Sequence, residues 1–152
     1  MQDWRRNVND TRAMQALGAS IAPSLYAGQL VYFSGAIGAG KTTLIRGILC
    51  GFGFTGMVKS PTYTLVETYE LPERTIYHFD LFRLNDPFEL ELAGVRDYLS
   101  GAALCLVEWP ERAATILPTP DVRVAISSAP NGRVVEWQSQ TSASQSSVMR
   151  EP

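Results

Sequence analysis

Residues 35–43, Gly-Ala-Ile-Gly-Ala-Gly-Lys-Thr-Thr, combine types and spacing that suit one task, the cradling of phosphates. The pattern is G-x-x-x-x-G-K-[ST], a phosphate-binding loop. Gly35, Gly38 and Gly40 allow the backbone to turn tightly and to aim successive N–H groups at an anion. Lys41 brings a point charge to the β and γ phosphates, and Thr42 offers a hydroxyl to the Mg²⁺ that bridges them. The chemistry predicted is binding of a nucleoside triphosphate with its metal.

Such a loop works only between a strand and a helix, because the helix N-terminus adds its positive dipole end to the site. Residues 30–34, Leu-Val-Tyr-Phe-Ser, read as a short buried strand, and the apolar spacing from Thr43 onward reads as a helix ending near Gly51 and Gly53. The site also needs a carboxylate at the end of a neighbouring strand. Glu108 follows the apolar run 103–107 and is the expected Mg²⁺ partner, directly or through water. Asp80 ends the strand-like run 76–79, whose alternation puts Ile76, His78 and Asp80 on one face; it is expected to orient the attacking water or to sense the γ-phosphate. For both acids the plain alternative is a surface carboxylate at a strand end. His78, the only histidine, reads first as a hydrogen-bonded core residue, and Trp109 as packing at the strand exit, with lining of the nucleotide pocket as the alternative. Residues 60–64, Ser-Pro-Thr-Tyr-Thr, stand where a phosphate-sensing switch could lie.

The remaining elements follow from pattern. A helix is expected over 12–26, capped by Asp10 or Thr11, with Met14, Leu17, Gly18, Ile21 and Leu25 on its apolar face. Runs 64–71 and 75–81 form a hairpin around Pro72-Glu73-Arg74; 87–93 and 95–99 are short helical turns. Residues 102–107 form a central strand covered on both faces, and 122–127 with 133–138 a second hairpin around Pro130-Asn131-Gly132. The fold class expected is α/β, a P-loop NTPase-like three-layer fold whose central sheet is mixed because it contains antiparallel hairpins. Residues 1–138 form a single domain, and the Ser/Gln-rich stretch 139–152 reads as a disordered tail.

Composition narrows the function classes. With 152 residues and a formal net charge of -2, the chain has no global field for nucleic acid or an acidic membrane. No apolar run approaches the ~20 residues of a membrane span. Arg5-Arg6 is followed by polar residues where an export signal would turn apolar, and the location expected is cytoplasmic. Cys50 and Cys105 sit in apolar segments and read as buried free thiols.

Four ordered motifs carry a family resemblance. The loop Gly-x-x-Gly-Ala-Gly-Lys-Thr-Thr, residues 60–67 (Ser-Pro-Thr-Tyr-Thr-Leu-Val-Glu), 77–84 (Tyr-His-Phe-Asp-Leu-Phe-Arg-Leu) and 106–111 (Leu-Val-Glu-Trp-Pro-Glu) resemble the TsaE (YjeE) proteins. The resemblance covers nearly the whole chain, from the Thr11 helix to the Gly132-Arg133 hairpin. It implies an ATP- and Mg²⁺-binding protein, a weak ATPase alone, needed for threonylcarbamoylation of adenosine 37 in tRNA. It implies action with a TsaB–TsaD pair, tRNA being met only through that complex and no membrane being involved. By motif, Gly35 and the stretch Ile37, Gly38, Ala39, Gly40, Lys41, Thr42 and Thr43 would hold phosphates; Thr42 and Glu108 would serve Mg²⁺. Lys41 and Asp80 would support hydrolysis, residues 60–64 would form the switch, and Thr11, Glu111 and Arg133 match positions that approach the nucleotide. The chain departs from the family at Ala36, usually Asp, and at Phe82, usually Tyr. Two other classes remain to be distinguished. A small-molecule kinase would need a lid helix bearing arginine, whereas Arg83, Arg96 and Arg112 are scattered. A nucleotide-sensing module would bind ATP with negligible turnover. A GTPase is disfavoured, since no Asn-Lys-x-Asp segment is present to read guanine.

Overall fold

The computed structural model describes residues 2–140. Among these, seven strands form one mixed sheet in the order β1-β7-β6-β2-β5-β4-β3. The strands are β1 (Trp4–Val8), β2 (Leu30–Ser34), β3 (Val66–Leu71), β4 (Arg74–Asp80), β5 (Leu104–Glu108), β6 (Val122–Ala129) and β7 (Gly132–Ser139). Strands β6, β2, β5 and β4 are mutually parallel, and the hairpin partners β3 and β7 run antiparallel at either side. The four central strands therefore end on one rim, where open α/β sheets place their ligands.

Burial explains the centre of the sheet. Every residue of β5 is buried, and in β2 only Ser34 is partly exposed, as expected of strands covered on both faces. One face, carrying Phe33, Ile76, Leu104 and Leu106, packs under α1 (Thr11–Ile21) and α2 (Lys41–Gly51). The other, carrying Tyr32, Phe79, Cys105 and Val107, packs under α3 (Phe88–Leu92), α4 (Val95–Leu99) and the turn at 110–113. The layers are helix, sheet, helix, a P-loop NTPase-like arrangement.

The two helices above the first face meet backbone to backbone. A Cβ at Gly18 would lie 2.3 Å from the Leu44 carbonyl oxygen, and one at Gly47 would lie 2.2 Å from that of Gln15. Glycine at both positions lets α1 press on α2 and so fixes the P-loop helix over the sheet. Asp10 caps α1 by accepting from the Ala13 N–H at 2.8 Å. The helix ends at Ile21, short of the expected 26, and passes into a tighter turn at Ala22–Ser24 containing Pro23.

Three further expectations need revision. Strand β1 was not expected, because Trp-Arg-Arg-Asn-Val lacks apolar alternation; pairing with β7 and stacking of Trp4 on Trp137 at 5.5 Å hold it in place. Ser139, expected to open the tail, ends β7 opposite Val122, while 141–152 lie outside the described residues. Cys50 is exposed near the end of α2, whereas Cys105 is buried and its thiol is pushed up to about 11 by desolvation. Among the described residues no helix is long and apolar enough to cross a membrane.

Candidate functional site

The loop 35–40 leaves the end of β2 and enters α2 directly at Lys41. Gly38 and Gly40 have φ of 78° and 113°, values that a Cβ would strain, so the loop can curl its N–H groups inward. The cleft over this loop has a volume of about 390 Å³ and is bounded by the loop, Thr62, Asp80, Glu108 and Trp109. Ile37 stands at its lip with its side chain exposed, so the loop offers its backbone there.

Lys41 is buried at the base of the loop. Its ammonium donates to the carbonyl oxygens of Gly35 and, at 3.0 Å, Ala36, and lies 4.1 Å from the centre of the Trp109 ring. Burial lowers its pKa, and the charges of Glu108, Glu111 and Asp80 partly offset that fall. A bound anion would complete the neutralisation of this buried cation. Trp109, with φ of 59°, is held in the left-handed region immediately after β5 and covers the lysine. Trp109 also packs against the second core cluster, with its ring 5.0 Å from that of Phe82, so it both packs at the strand exit and lines the cleft.

Strand order decides how the two acids relate to the loop. Strand β5 lies between β2 and β4, so Glu108 is in register with Phe33 on one side and Asp80 on the other. Both Glu108 oxygens face the Thr42 hydroxyl, at 3.1 and 2.8 Å. Glu108 is 2% exposed and its Oε2 also meets His78 Nε2 at 2.7 Å. Among the described residues no group of three or more His, Cys, Asp or Glu side chains forms a metal cage. The hydroxyl and carboxylate pair suits Mg²⁺, which takes one or two protein ligands and completes its shell with water and phosphate oxygens.

Asp80, 5% exposed, is held differently. Its Oδ1 accepts from the Phe82 N–H at 3.0 Å, and its Oδ2 accepts from the Thr62 hydroxyl at 3.0 Å. Thr62 belongs to the loop running from Lys59, clasped by the Tyr69 hydroxyl, to Leu65, at φ of 74°. The Leu65 conformation is secured by its N–H to Pro61 O at 2.7 Å and by Asp80 N–H to its own carbonyl at 3.1 Å. Tyr63, 82% exposed, accepts from Arg83 at 2.9 Å outside the cleft.

The remaining expected residues fall into two places. Thr11 and Arg133 share a cavity of about 210 Å³ with Met14, Gly40 and Thr43, alongside the loop. Arg133 donates to the carbonyls of Ala39 and Gly38, at 3.3 and 3.4 Å, and so braces the loop from β7. Glu111 does not join them; it is exposed and lines a separate cavity with Ser34 and Arg123. Met14 was missed as a site residue: it reads as one apolar position of α1, yet its Cε would lie 2.9 Å from a Cβ at Gly40. No local signal distinguishes it from its core neighbours.

Comparison with known proteins gives a consistent picture. Residues 8–135 match the family model described as threonylcarbamoyl adenosine biosynthesis protein TsaE. The chain is 53% identical over 112 residues to the tRNA threonylcarbamoyladenosine biosynthesis protein TsaE of Haemophilus influenzae, covering 74% of this chain and 71% of that protein. It is 35% identical over 127 residues to the protein of the same name from Bacillus subtilis, covering 83% and 77%. The crystal structure of Bacillus subtilis YdiB superposes with a TM-score of 0.77 at 24% identity, covering 91% of this chain and 86% of that one, a likeness of fold.

Proposed function

The chain belongs to the TsaE family of tRNA threonylcarbamoyladenosine biosynthesis, and from that premise we propose that it binds ATP with Mg²⁺ and hydrolyses it slowly. The observation that carries this reading is the convergence of Lys41, the Thr42–Glu108 pair and Asp80 on one rim, around a phosphate-binding loop.

Each residue then has a physical task. Loop N–H groups and the N-terminus of α2 receive the β and γ phosphates. Lys41 gives up its carbonyl partners for phosphate oxygens, which relieves a buried charge. Glu108 accepts a hydrogen bond from the Thr42 hydroxyl, which leaves the hydroxyl lone pairs free for the cleft. Mg²⁺, when bound there, would neutralise charge developing on the phosphates. Asp80 orients the attacking water, and for that its Oδ2 must exchange the Thr62 hydroxyl for water. The tether supports slow turnover by the chain alone. No covalent intermediate is required, since positioning and charge stabilisation carry phosphoryl transfer.

The partner proposed is a TsaB–TsaD pair, in the cytoplasm, with tRNA met through that complex. ATP hydrolysis by the full chain, alone and with the purified pair, tests the proposal. Slow turnover that rises with the pair is expected. Unchanged turnover accompanied by phosphate transfer to an added metabolite would replace it with a kinase. The engaged Asp80 also favours a second reading, a nucleotide-sensing module, for which binding without measurable turnover in either condition is the signature.

A further inference from the structure

His78 lies in the middle of β4 with no exposed surface, in register with Leu106 on the apolar face beneath α2. An aliphatic residue would fill such a place without cost. The imidazole instead brings two nitrogens into the core, and only one is satisfied. Nε2 meets Glu108 Oε2 at 2.7 Å, while Nδ1 finds no partner among the described residues. An ionised carboxylate oxygen can only accept, so Nε2 is the donor of this bond and Nδ1 is the nitrogen left without a partner. Leaving a buried polar atom unpaired costs about 1–3 kcal/mol. The one bond formed must therefore matter more than packing does.

We propose that His78 is a positioning residue for Mg²⁺: its Nε2–H fixes the carboxylate of Glu108 so that Glu108 in turn aims the Thr42 hydroxyl into the cleft. Geometry supports the relay. Oε2 receives both the imidazole N–H, at 2.7 Å, and the Thr42 hydroxyl, at 2.8 Å, while the longer contact to Oε1 is 3.1 Å. Two donors converging from β4 and α2 fix the carboxylate plane, which a glutamate at the end of β5 could otherwise rotate about its last torsion. His78 reaches the metal only through Glu108, so its removal should change metal affinity and leave phosphate binding alone. Hydrogen-bond partners behind metal ligands typically change metal affinity by about 10–100-fold when lost. The inference rests on Glu108 serving the metal.

The test compares two amides of the same chemistry and different reach. The side-chain nitrogen of glutamine falls near imidazole Nε2, and that of asparagine near Nδ1, too short for Glu108. Calorimetry of a non-hydrolysable ATP analogue on the full chain is run across a Mg²⁺ titration and again in EDTA, with thermal unfolding as the check on folding. In His78→Asn the half-saturating Mg²⁺ should rise about tenfold, with affinity in EDTA unchanged. His78→Gln should keep a Mg²⁺ midpoint within about twofold of the parent, and His78→Ser replaces the asparagine variant if that one fails to fold. Equal midpoints for the long and short variants would overturn the proposal, as would a loss of affinity in EDTA that matches the loss in Mg²⁺. Glu108→Gln separates the two levels. If it shifts the midpoint while the His78 variants do not, the role of His78 falls and that of Glu108 stands. If it leaves the midpoint unchanged, the metal role of Glu108 falls and takes the positioning role with it.

Discussion

Glu108 and Asp80 end adjacent parallel strands in register, yet they are held by different kinds of structure. Glu108 is fixed by His78 on β4 and Thr42 on α2, both set in packed elements. Asp80 shares its carboxylate between the Phe82 N–H and Thr62, and Thr62 hangs on a loop between the Tyr69 clasp and the left-handed Leu65. The half of the cleft proposed for phosphate and metal is thus held by packed elements, whereas the proposed water-orienting half depends on where a loop sits. Elements with fewer packed neighbours open at lower free energy, so regulation of turnover is expected on the Asp80 side.

The largest expected effect breaks the built half. Lys41→Ala should weaken ATP binding by at least about 100-fold, near 3 kcal/mol, since several charge-assisted bonds to phosphate are lost together. Near-parental affinity by calorimetry would remove the loop from the site. Asp80→Asn probes the other half. It should lower turnover by about 100-fold while changing affinity less than threefold, measured by single-turnover hydrolysis beside equilibrium binding. Parallel loss of both would assign Asp80 to binding and erase the contrast between the two acids.

Thr62→Val should release the loop without touching the built half. The hydroxyl contacts with Asp80 and with Ser60 are both lost. The part-buried bond to Asp80 alone, at about 1 kcal/mol, predicts at least roughly fivefold faster amide exchange over 59–65, with exchange in α2 unaltered. Equal acceleration in both regions would mean that they open as one unit. A smaller effect concerns pH. Burial lowers the Lys41 pKa, so the free protein loses this proton at a lower pH than an ordinary lysine would, while phosphate favours the charged form. As pH rises through that lowered pKa, ATP affinity should fall by at most about tenfold per unit, with proton uptake on binding. For folding, the same direction means that the unfolded chain holds more protons at Lys41 across that window, so this group's contribution to stability rises with pH. Binding enthalpies measured in two buffers of different ionisation heat report the uptake; none detected through the alkaline range would show that burial leaves Lys41 fully charged.

The elements were legible where their signal was local. The loop spacing, the buried runs of β2 and β5, and the Pro130-Asn131-Gly132 turn all state their conformation within a few residues. Strand β1 was illegible because Trp4 and Val8 gain their partners from β7, more than 120 residues onward, and its arginines blur the alternation. The site divided in the same way. Lys41 and Thr42 are named by spacing, but nothing near Glu111 says that it faces a different cavity from the loop, and nothing near Met14 says that it underlies Gly40.

By itself the sequence determined the chemistry available: a backbone that can nest an anion, a lysine and threonine at the head of a helix, and two acids at strand ends. Those properties live in short spacings, because backbone torsion preferences and helix or strand periodicity act over a few residues. Tertiary structure decided which side chains each acid meets. The order β2-β5-β4 places Glu108 beside the loop and Asp80 one strand farther out, and the facing of β4 toward α2 sets His78 against Glu108. Strand order depends on packing and pairing between distant segments, and no local spacing encodes it.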